Sequence, residues 1–270
     1  MKDLAGKVVV ITGAGSGIGR ALAVACNARG ARLALADVDE PGLRQTAASL
    51  AGTDPMLQHC DVSDRAQIEA FRDAVLQRYG AADVVINNAG VAVSDTVEGM
   101  SYEDFEWIMG INFWGVVYGT KAFLPHLKTR PEASIVNISS VFGLIAVPTQ
   151  SAYNATKFAV RGFTESLRHE MAGSPVHVMC VHPGGIRTNI ARRQRFHVGL
   201  NPGLDAKASA DQFERLARTT PERAAEVILQ GIARNSPRCL IGADARIIDW
   251  LVRWLPERYW AVIGRLIPRN

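Results

Sequence analysis

The sequence of 270 residues has few cysteines, and none of them lies close to another. Because no C-x-x-C pair is present, the sequence predicts neither a disulfide framework nor a zinc site, and we expect no metal. Isolated thiols are typical of proteins from a reducing compartment. The four cysteines are Cys26, Cys60, Cys180 and Cys239.

Dense basic runs and long apolar segments are also lacking. The net charge of +4 is not concentrated in a Lys/Arg cluster, so we expect no nucleic-acid partner. The residues before Val8 lead directly into an apolar stretch and do not have the pattern of a signal peptide. The uncharged segment Ala133–Thr156 contains too many polar residues for a membrane span. These absences predict a soluble, cytoplasmic protein.

Short apolar runs alternate with longer segments of helical periodicity. The predicted strands are Val8–Ile11, Arg32–Ala36, Met56–Cys60, Asp83–Ile86, Ser134–Ile138, Val176–Val181 and Arg238–Ile241. The predicted helices are Ile18–Arg29, Pro41–Leu50, Arg65–Tyr79, Tyr102–Leu127, Tyr153–Met171 and Pro221–Ala233. This alternation indicates βαβ units with right-handed crossovers. We therefore expect an α/β fold with an open parallel sheet of about seven strands and helices on both faces.

No linker divides the chain, so residues 1–270 are predicted to form a single domain. Residues 185–211 show little periodicity and contain glycine and proline. Loops of this length inside compact domains are usually functional, so we interpret this segment as a substrate lid.

A glycine-rich segment follows the first predicted strand and opens the first predicted helix. It has the spacing T-G-x-x-x-G-x-G on Gly13, Gly17 and Gly19, whereas Ile18 prevents a match to G-x-G-x-x-G. Glycines permit a tight turn, and the amides at a helix N-terminus attract phosphate. A glycine cluster alone could form any turn, but this position favours a dinucleotide-binding site.

Further short motifs follow, most of them at the predicted carboxyl ends of strands, where open α/β sheets bind ligands. They are Asp37, Asp61-Val62, Asn87-Asn88-Ala89-Gly90, Tyr153-x-x-x-Lys157 and Pro183-Gly184-x-x-x-Thr188. In this order they resemble the short-chain dehydrogenase/reductase family, from about Gly6 to about Gly242. The resemblance implies a doubly wound Rossmann fold and a nicotinamide cofactor. It also implies that the cofactor is bound by Gly13, Ser16, Gly17, Ile18, Gly19, Asp37, Asp61, Val62, Asn88, Tyr153, Lys157, Pro183, Ile186 and Thr188.

Asp37 bears on the choice between NAD and NADP. It ends the second predicted strand, and the dinucleotide rule asks for an acid there, about 20 residues after the glycines. A carboxylate accepts hydrogen bonds from the ribose diol and repels a 2′-phosphate. NADP-using members of the family usually carry a basic residue where this sequence has Ser16 or Val38. We therefore expect NAD rather than NADP, with a helix-capping role for Asp37 as the alternative.

Tyr153 and Lys157 start a predicted helix, and residues at i and i+4 share one face. A nearby ammonium group lowers the pKa of a tyrosine from about 10, which would allow Tyr153 to exchange a proton with an alcohol or carbonyl oxygen. The resemblance adds Ser140 to hold the substrate oxygen, with adjacent Ser139 as the alternative, and Asn112 as the fourth catalytic residue. Alone, Y-x-x-x-K is a frequent chance pairing on helix surfaces.

The predicted reaction is hydride transfer between NAD and a hydrophobic secondary alcohol or ketone. The segment Val141–Pro148 is almost wholly apolar and should border the pocket, together with lid residues Ile190, Phe196, Val198 and Leu200. For the lid residues Arg192, Arg193 and Arg195 we favour a solvated face over contact with an acidic substrate group. A 3-oxoacyl-thioester reductase using NADPH and a catalytically silent NAD-binding protein are the alternative functions.

Residues 243–270 form an amphipathic C-terminal extension. Ile247, Leu251 and Trp254 recur at helical spacing before Pro256, and Trp260, Ile263 and Ile267 form a second stripe. We favour packing of these stripes against the domain itself or a partner subunit; a lid over the substrate mouth and a membrane surface are less favoured alternatives. Members of the family commonly pair through the helices here predicted at Tyr102–Leu127 and Tyr153–Met171, so we expect a homodimer or homotetramer.

Overall fold

The fold is built on a parallel sheet of seven strands, as predicted. The structure, a computed structural model, describes residues 1–201 and 203–266. The strands are β1 (Val8–Thr12), β2 (Arg32–Asp37), β3 (Met56–His59), β4 (Val84–Asn87), β5 (Val93–Ser94), β6 (Ala133–Ile138), β7 (Val176–Pro183), β8 (Arg195–Phe196) and β9 (Arg238–Ile241). The large sheet has the order β3-β2-β1-β4-β6-β7-β9. It is the doubly wound Rossmann fold that the sequence predicts.

Helices cover both faces of this sheet. They are α1 (Gly17–Asn27), α2 (Glu40–Ala48), α3 (Arg65–Tyr79), α4 (Tyr102–Met109), α5 (Gly115–Leu127), α6 (Ser151–Glu170), α7 (Ala206–Leu216), α8 (Pro221–Ala233), α9 (Ala243–Trp254) and α10 (Tyr259–Leu266). Alternate residues of β1 enter different cores, because successive side chains of a strand point to opposite faces. Ile11 packs with Leu22 of α1 and Ile228 of α8, whereas Val10 packs with Phe71 of α3 and Phe123 of α5.

The strand register brings the carboxyl ends of the central strands to one edge. Thr12 of β1 is paired with Ala36 of β2, and Asn87 of β4 with Asn137 of β6. Pro183 of β7 lies opposite Ile241 of β9. The strand order reverses between β1 and β4, which opens a crevice at this edge, and such crevices are where open α/β sheets bind ligands.

The segment predicted as one helix over Tyr102–Leu127 contains an irregular turn. Helices α4 and α5 are joined by a π-helical segment, Gly110–Trp114, that holds Asn112 in its wider turn. Hydrophobic periodicity did not indicate this irregularity, because one π turn shifts the pattern by only one residue. Single π turns inside α-helices are frequent at functional sites.

The lid segment has more regular structure than its sequence indicates. β8 pairs in parallel with β5, Val93 opposite Arg195 and Ser94 opposite Phe196, to form a second, two-stranded sheet. The end of the lid is helical, because α7 begins at Ala206 with Asp205 as its N-cap. Strands of two residues have no measurable periodicity, and this pair arises from a contact between distant parts of the chain.

The C-terminal extension forms two helices, α9 and α10, on either side of Pro256. The domain itself does not cover the outer side of α9. Ile247 and Trp254 of the first stripe, and Trp250 beside them, are 64%, 70% and 61% exposed, whereas Leu251 is partly buried. The predicted packing was against the domain or a partner subunit; the domain leaves these three side chains exposed because α9 turns its other face inward, and packing against a partner subunit stays a prediction. Ile267 lies outside the described residues. Across the described ranges, no helix combines the length and apolar character needed to cross a bilayer.

Candidate active site

The glycine loop between β1 and α1 lies against the turn that follows β4. Gly13 has a φ of +66°, and a Cβ atom on it would lie 2.7 Å from the Ala89 Cα. The Asn88 side-chain amide donates to the carbonyl oxygens of Thr12 and Gly13, at 2.9 and 3.1 Å. The two turns are thus locked together, and only glycine fits at the contact.

The N-terminus of α1 has features that fit a bound diphosphate. Ser16 is its N-cap residue but makes no side-chain capping hydrogen bond, and the first turn contains no acidic residue. The positive end of the helix dipole is therefore not neutralised by a capping carboxylate. Gly17 has a φ of +52°, and a Cβ atom there would lie 3.2 Å from the Thr188 side chain. The loop after β7 thus lies close against the glycine loop, and Ile18 and Gly19 complete the first turn of α1.

Asp37 links the end of β2 to the glycine loop. One carboxylate oxygen accepts a hydrogen bond from the Gly15 backbone amide at 2.8 Å, and the other accepts one from the Asp39 amide at 3.0 Å. Each carboxylate oxygen has a further lone pair. The side chain is therefore held in place and still able to accept hydrogen bonds from a ribose diol. The alternative role of helix capping belongs to Asp39, which caps α2 through Gly42.

The remaining residues predicted to bind the cofactor lie along the same edge of the sheet, where they make hydrogen bonds and packing contacts within the chain. Asp61 accepts hydrogen bonds from the backbone and hydroxyl of Ser63. Val62 is buried where α5 begins, and Pro183 ends β7. Ile186 is buried and forms an isolated bridge with Thr219.

Ser140, Tyr153 and Lys157 come together where β6 ends and α6 begins. The Ser140 side chain is hydrogen-bonded to Tyr153 and also accepts the Phe142 backbone amide at 3.1 Å. The neighbouring hydroxyl of Ser139 is turned away and donates to the Lys157 carbonyl oxygen. Of the two serines, Ser140 is therefore the one beside the phenol.

The expected lowering of the Tyr153 pKa is not found. Burial raises the pKa of Tyr153 to about 12, opposed by the hydrogen bond from Ser140. The Lys157 ammonium lies 5.5 Å from the centroid of the Tyr153 ring and donates to the Ile138 carbonyl oxygen at 3.1 Å. Burial lowers the pKa of Lys157 to about 8. In this dry site desolvation outweighs the attraction between the two groups, and both are shifted towards their neutral forms.

Asn112 faces the same space from the π-helical segment. Its side chain exchanges two hydrogen bonds with the Val91 backbone and donates a third to the Thr156 hydroxyl. A Cβ atom on Gly90 would lie 3.3 Å from the Asn112 Oδ1 and 3.4 Å from the Lys157 Nζ. Gly90 therefore leaves open the space between the amide and the ammonium group.

His182 supports the cluster from behind. It is fully buried, and its Nδ1 is 3.0 Å from the Ser140 carbonyl oxygen. Burial lowers the pKa of His182 to about 4, so the ring is neutral and Nδ1–H is the donor. In the sequence, the signal for this position is that a histidine directly precedes Pro183 at the end of a predicted strand.

Three of the lid arginines, Arg192, Arg193 and Arg195, are paired with carboxylates of the chain itself. Arg192 pairs with Asp211 and Glu214 of α7, and Arg193 pairs with Asp39 at 3.1 Å. Arg195 pairs with Asp104 at 2.6 Å, and its guanidinium lies 3.8 Å from the centroid of the Trp107 ring. These arginines thus hold the lid in place through ion pairs. Their role differs from both interpretations of the sequence, a wholly solvated face and contact with an acidic substrate group.

The apolar segment after Ser140 borders the Tyr153 phenol. The Phe142 ring meets the Tyr153 ring edge to face, with centroids 5.9 Å apart. Leu144 and Ile145 are buried. Tyr259 of α10 receives a hydrogen bond on its hydroxyl from the Ala146 backbone amide at 3.0 Å. The extension therefore reaches the segment that borders the phenol, a contact related to the less favoured alternative of a lid over the substrate mouth.

The fold and this site define a dinucleotide-binding α/β protein of the dehydrogenase type. Residues 7–198 match the family model described as short chain dehydrogenase. The chain belongs to the short-chain dehydrogenase/reductase family, and is an oxidoreductase of that type, as its motifs predict.

Relatives and solved structures agree with this assignment. The chain is 48% identical over 269 residues to a Mycobacterium tuberculosis protein named "Putative oxidoreductase SadH", covering 98% of this chain and 96% of the relative. A Burkholderia phymatum short chain dehydrogenase/reductase solved in complex with NAD matches with a TM-score of 0.85 and 34% identity, covering 95% of this chain and 96% of the other. Levodione reductase matches with a TM-score of 0.80 and 27% identity, covering 91% and 98%.

Replacing the carboxylate that holds the lid should loosen it. The hydrogen bond from Arg195 lowers the pKa of Asp104 against the opposing effect of burial, and His197 adds to the lowering. The ion pair is therefore intact at neutral pH and is lost as the pH falls through the lowered pKa. Asp104→Asn should raise amide hydrogen exchange in Arg195–Val198 roughly tenfold or more at neutral pH.

Asp211→Asn is the matched control, because it removes one of the two carboxylates that pair with the exposed side chain of Arg192. Exchange in Arg195–Val198 should hardly change in this variant. Equal protection of that segment in the parent and Asp104→Asn would show that the β5–β8 pairing alone holds the lid.

Proposed function

We propose that the chain is an NAD-dependent dehydrogenase/reductase that moves a hydride between the cofactor and a hydrophobic secondary alcohol or ketone. The observation that carries this proposal is that Ser140, Tyr153 and the buried Lys157 come together, with the Lys157 Nζ 5.5 Å from the centroid of the Tyr153 ring and Ser140 beside the phenol. This cluster lies at the same sheet edge as the glycine loop. The proposed unit is one domain of residues 1–270, with a lid at 185–211 and an extension at 243–270.

Each catalytic residue has a distinct proposed role. Ser140 holds the substrate oxygen, and Tyr153 accepts the hydroxyl proton in oxidation or donates one to a carbonyl oxygen in reduction. Lys157 binds the nicotinamide ribose and stabilises the phenolate as the proton leaves. Asn112 fixes the Val91 backbone beside the open space at Gly90, through which Lys157 exchanges protons with solvent.

Bound NAD supplies the hydride acceptor and, in its oxidised form, a positive charge at the nicotinamide. The chain's part is orientation and proton transfer, for which the diphosphate is held at Gly13–Gly19 and the adenosine ribose at Asp37. Asp61, Val62 and Asn88 shape the adenine side, and Pro183, Ile186 and Thr188 the nicotinamide side. These roles for the chain and for NAD agree with the burial around Tyr153 and Lys157. Bound NAD would bring ribose hydroxyls and a positive charge to a site that is largely shielded from water.

The substrate proposal rests on the walls of the pocket. Phe142 supplies apolar surface beside the phenol, Leu144 and Ile145 of the same segment are buried, and the lid residues Arg192, Arg193 and Arg195 are already paired. Few groups are therefore free to recognise a charged substrate. The test is turnover on a panel of cyclic and long-chain ketones plus a 3-oxoacyl thioester, each with NADH and NADPH. Turnover confined to the thioester with NADPH would favour the alternative reductase.

Removing the Tyr153 hydroxyl should lower the rate of turnover without weakening cofactor binding. Tyr153→Phe keeps the ring shape but cannot transfer a proton, so kcat should fall about 100- to 10,000-fold. The Kd for NADH, measured by fluorescence, should stay close to that of the parent, whereas Lys157→Ala should impair both. Tyr102→Phe, at an exposed tyrosine, is the control. Activity of Tyr153→Phe within tenfold of the parent would remove Tyr153 from the acid–base role.

Cofactor preference should depend on Asp37. Loss of its charged hydrogen bonds in Asp37→Ala should weaken NADH binding by roughly 10- to 100-fold, and Val38→Arg added to it should strengthen NADPH binding. Titration of both cofactors by fluorescence quenching measures the change. Asp64→Ala, which removes an exposed acidic cap from α3, should have no such effect. Tighter binding of NADPH than NADH by the parent protein would refute the ribose argument.

The homodimer is proposed to form through α5 and α6. Trp114 and Phe158 are exposed next to these helices in the single chain, and Trp114 stacks on Tyr118. Phe158→Glu should therefore weaken the dimer at least about tenfold, because it places a charge in an apolar contact. Light scattering over a concentration series measures this. Leu216→Glu, on the exposed side of α7, is the control; a monomeric parent at micromolar concentration would contradict the proposal.

A further inference from the structure

Helix α9 is fixed firmly to the domain through its inner face. Arg238 of β9 donates two hydrogen bonds to the Asp249 carboxylate, at 3.0 and 2.6 Å. Asp244 accepts the Gly185 backbone amide at 2.6 Å, and Ala245 is fully buried. The orientation of the helix is therefore set, and so is the face that it turns outward.

That outward face is apolar. Ile247, Trp250 and Trp254 follow at intervals of three and four residues, which places them on one side of the helix, and the two indole rings lie 6.3 Å apart. Leu255 and Val262 extend the exposed surface towards α10. We call these five side chains the outer stripe. A rigid helix that presents two tryptophans to water is a mark of an interaction surface.

The charges beside the outer stripe are mainly positive. Arg246, Arg253, Arg258 and Arg265 are exposed, and among the residues that the structure describes only Arg253 pairs with a carboxylate. Asp244 and Asp249 are engaged by the inward contacts described above. The remaining carboxylate of 243–266 is Glu257. Residues 243–266 thus carry four exposed arginines and one outward carboxylate together with the stripe.

We propose that the outer stripe docks on the surface of an anionic phospholipid bilayer. Indole rings prefer the headgroup level of a membrane, and arginines beside an apolar face bind lipid phosphates. A second copy of the chain fits less well. The five side chains of the outer stripe together expose roughly 550 Å², which is less than the about 800 Å² that one partner buries in a stable dimer.

The outer stripe continues into the part of the extension that touches the proposed pocket. Tyr259, which follows Leu255 by one turn, binds the Ala146 backbone at the border of the apolar segment. Docking would therefore bring the substrate entrance close to the bilayer, where a hydrophobic ketone is concentrated. This consequence rests on the proposed function, whereas the docking itself does not.

Vesicle co-sedimentation of the full chain tests the docking without any turnover. The protein should pellet with vesicles containing phosphatidylglycerol, and much less with pure phosphatidylcholine. Trp250→Ala combined with Trp254→Ala should lower the partition coefficient at least about tenfold. Arg246→Glu combined with Arg258→Glu should do the same at low salt, because the lipid charge then repels the helix. The tryptophan emission of the parent should shift to the blue on binding.

Val97→Ala combined with Leu216→Ala removes exposed apolar side chains elsewhere and should bind vesicles like the parent. Reduction of a water-soluble ketone should be unchanged in all three double variants, which separates lost docking from lost folding. Absence of binding to anionic vesicles, or equal binding by the tryptophan variant, would overturn the proposal. A smaller oligomer of the tryptophan variant in light scattering would also overturn it, by assigning the stripe to a second copy of the chain.

Discussion

The in-register alignment of parallel strands is the constraint on which the site depends. It places the ends of β1, β2, β4, β6 and β7 at one edge, so that residues far apart in sequence share one crevice. The closest approach is between the two turns after β1 and β4, where Asn88 holds the carbonyl oxygens of Thr12 and Gly13. Glycine is needed at this contact, because a side chain would displace one turn from the other.

Burial governs the chemistry of the catalytic cluster. Burial penalises the charged form of each group, so the pKa of Tyr153 is raised to about 12 and the pKa of Lys157 is lowered to about 8. Both shifts favour the neutral forms. The hydrogen bond from Ser140 opposes this effect at the phenol. The position of Ser140 is in turn fixed by His182, which is kept neutral by burial. His182, Ser140 and Tyr153 are thus held in place in their neutral forms. In the proposed reaction, they would stabilise the charge that develops on the substrate oxygen.

The parts around the crevice are held by ion pairs and single hydrogen bonds and not by extensive packing. Arg195 and Arg193 fasten the lid to α4 and to the N-terminus of α2. Tyr259 fastens the extension to the segment beside the phenol. Such contacts open more easily than the core, which suits elements that admit substrate and cofactor. Under the proposed function, the lid and α10 are the elements that would move to admit substrate.

The sequence alone determined the sheet, its helices and most of the candidate site. The apolar runs at Val8–Ile11 and Val176–Val181 need burial on both faces, and the motif residues follow these strands directly. Tertiary structure decided what depends on contacts between distant residues. It selected Ser140 over Ser139 beside the phenol, raised the Tyr153 pKa, formed the β5–β8 pair and left Trp250 and Trp254 outside the core. The physical reason is that local patterns report which side chains need burial, whereas the partner, the desolvation and the exposed face are fixed only when the whole chain has packed.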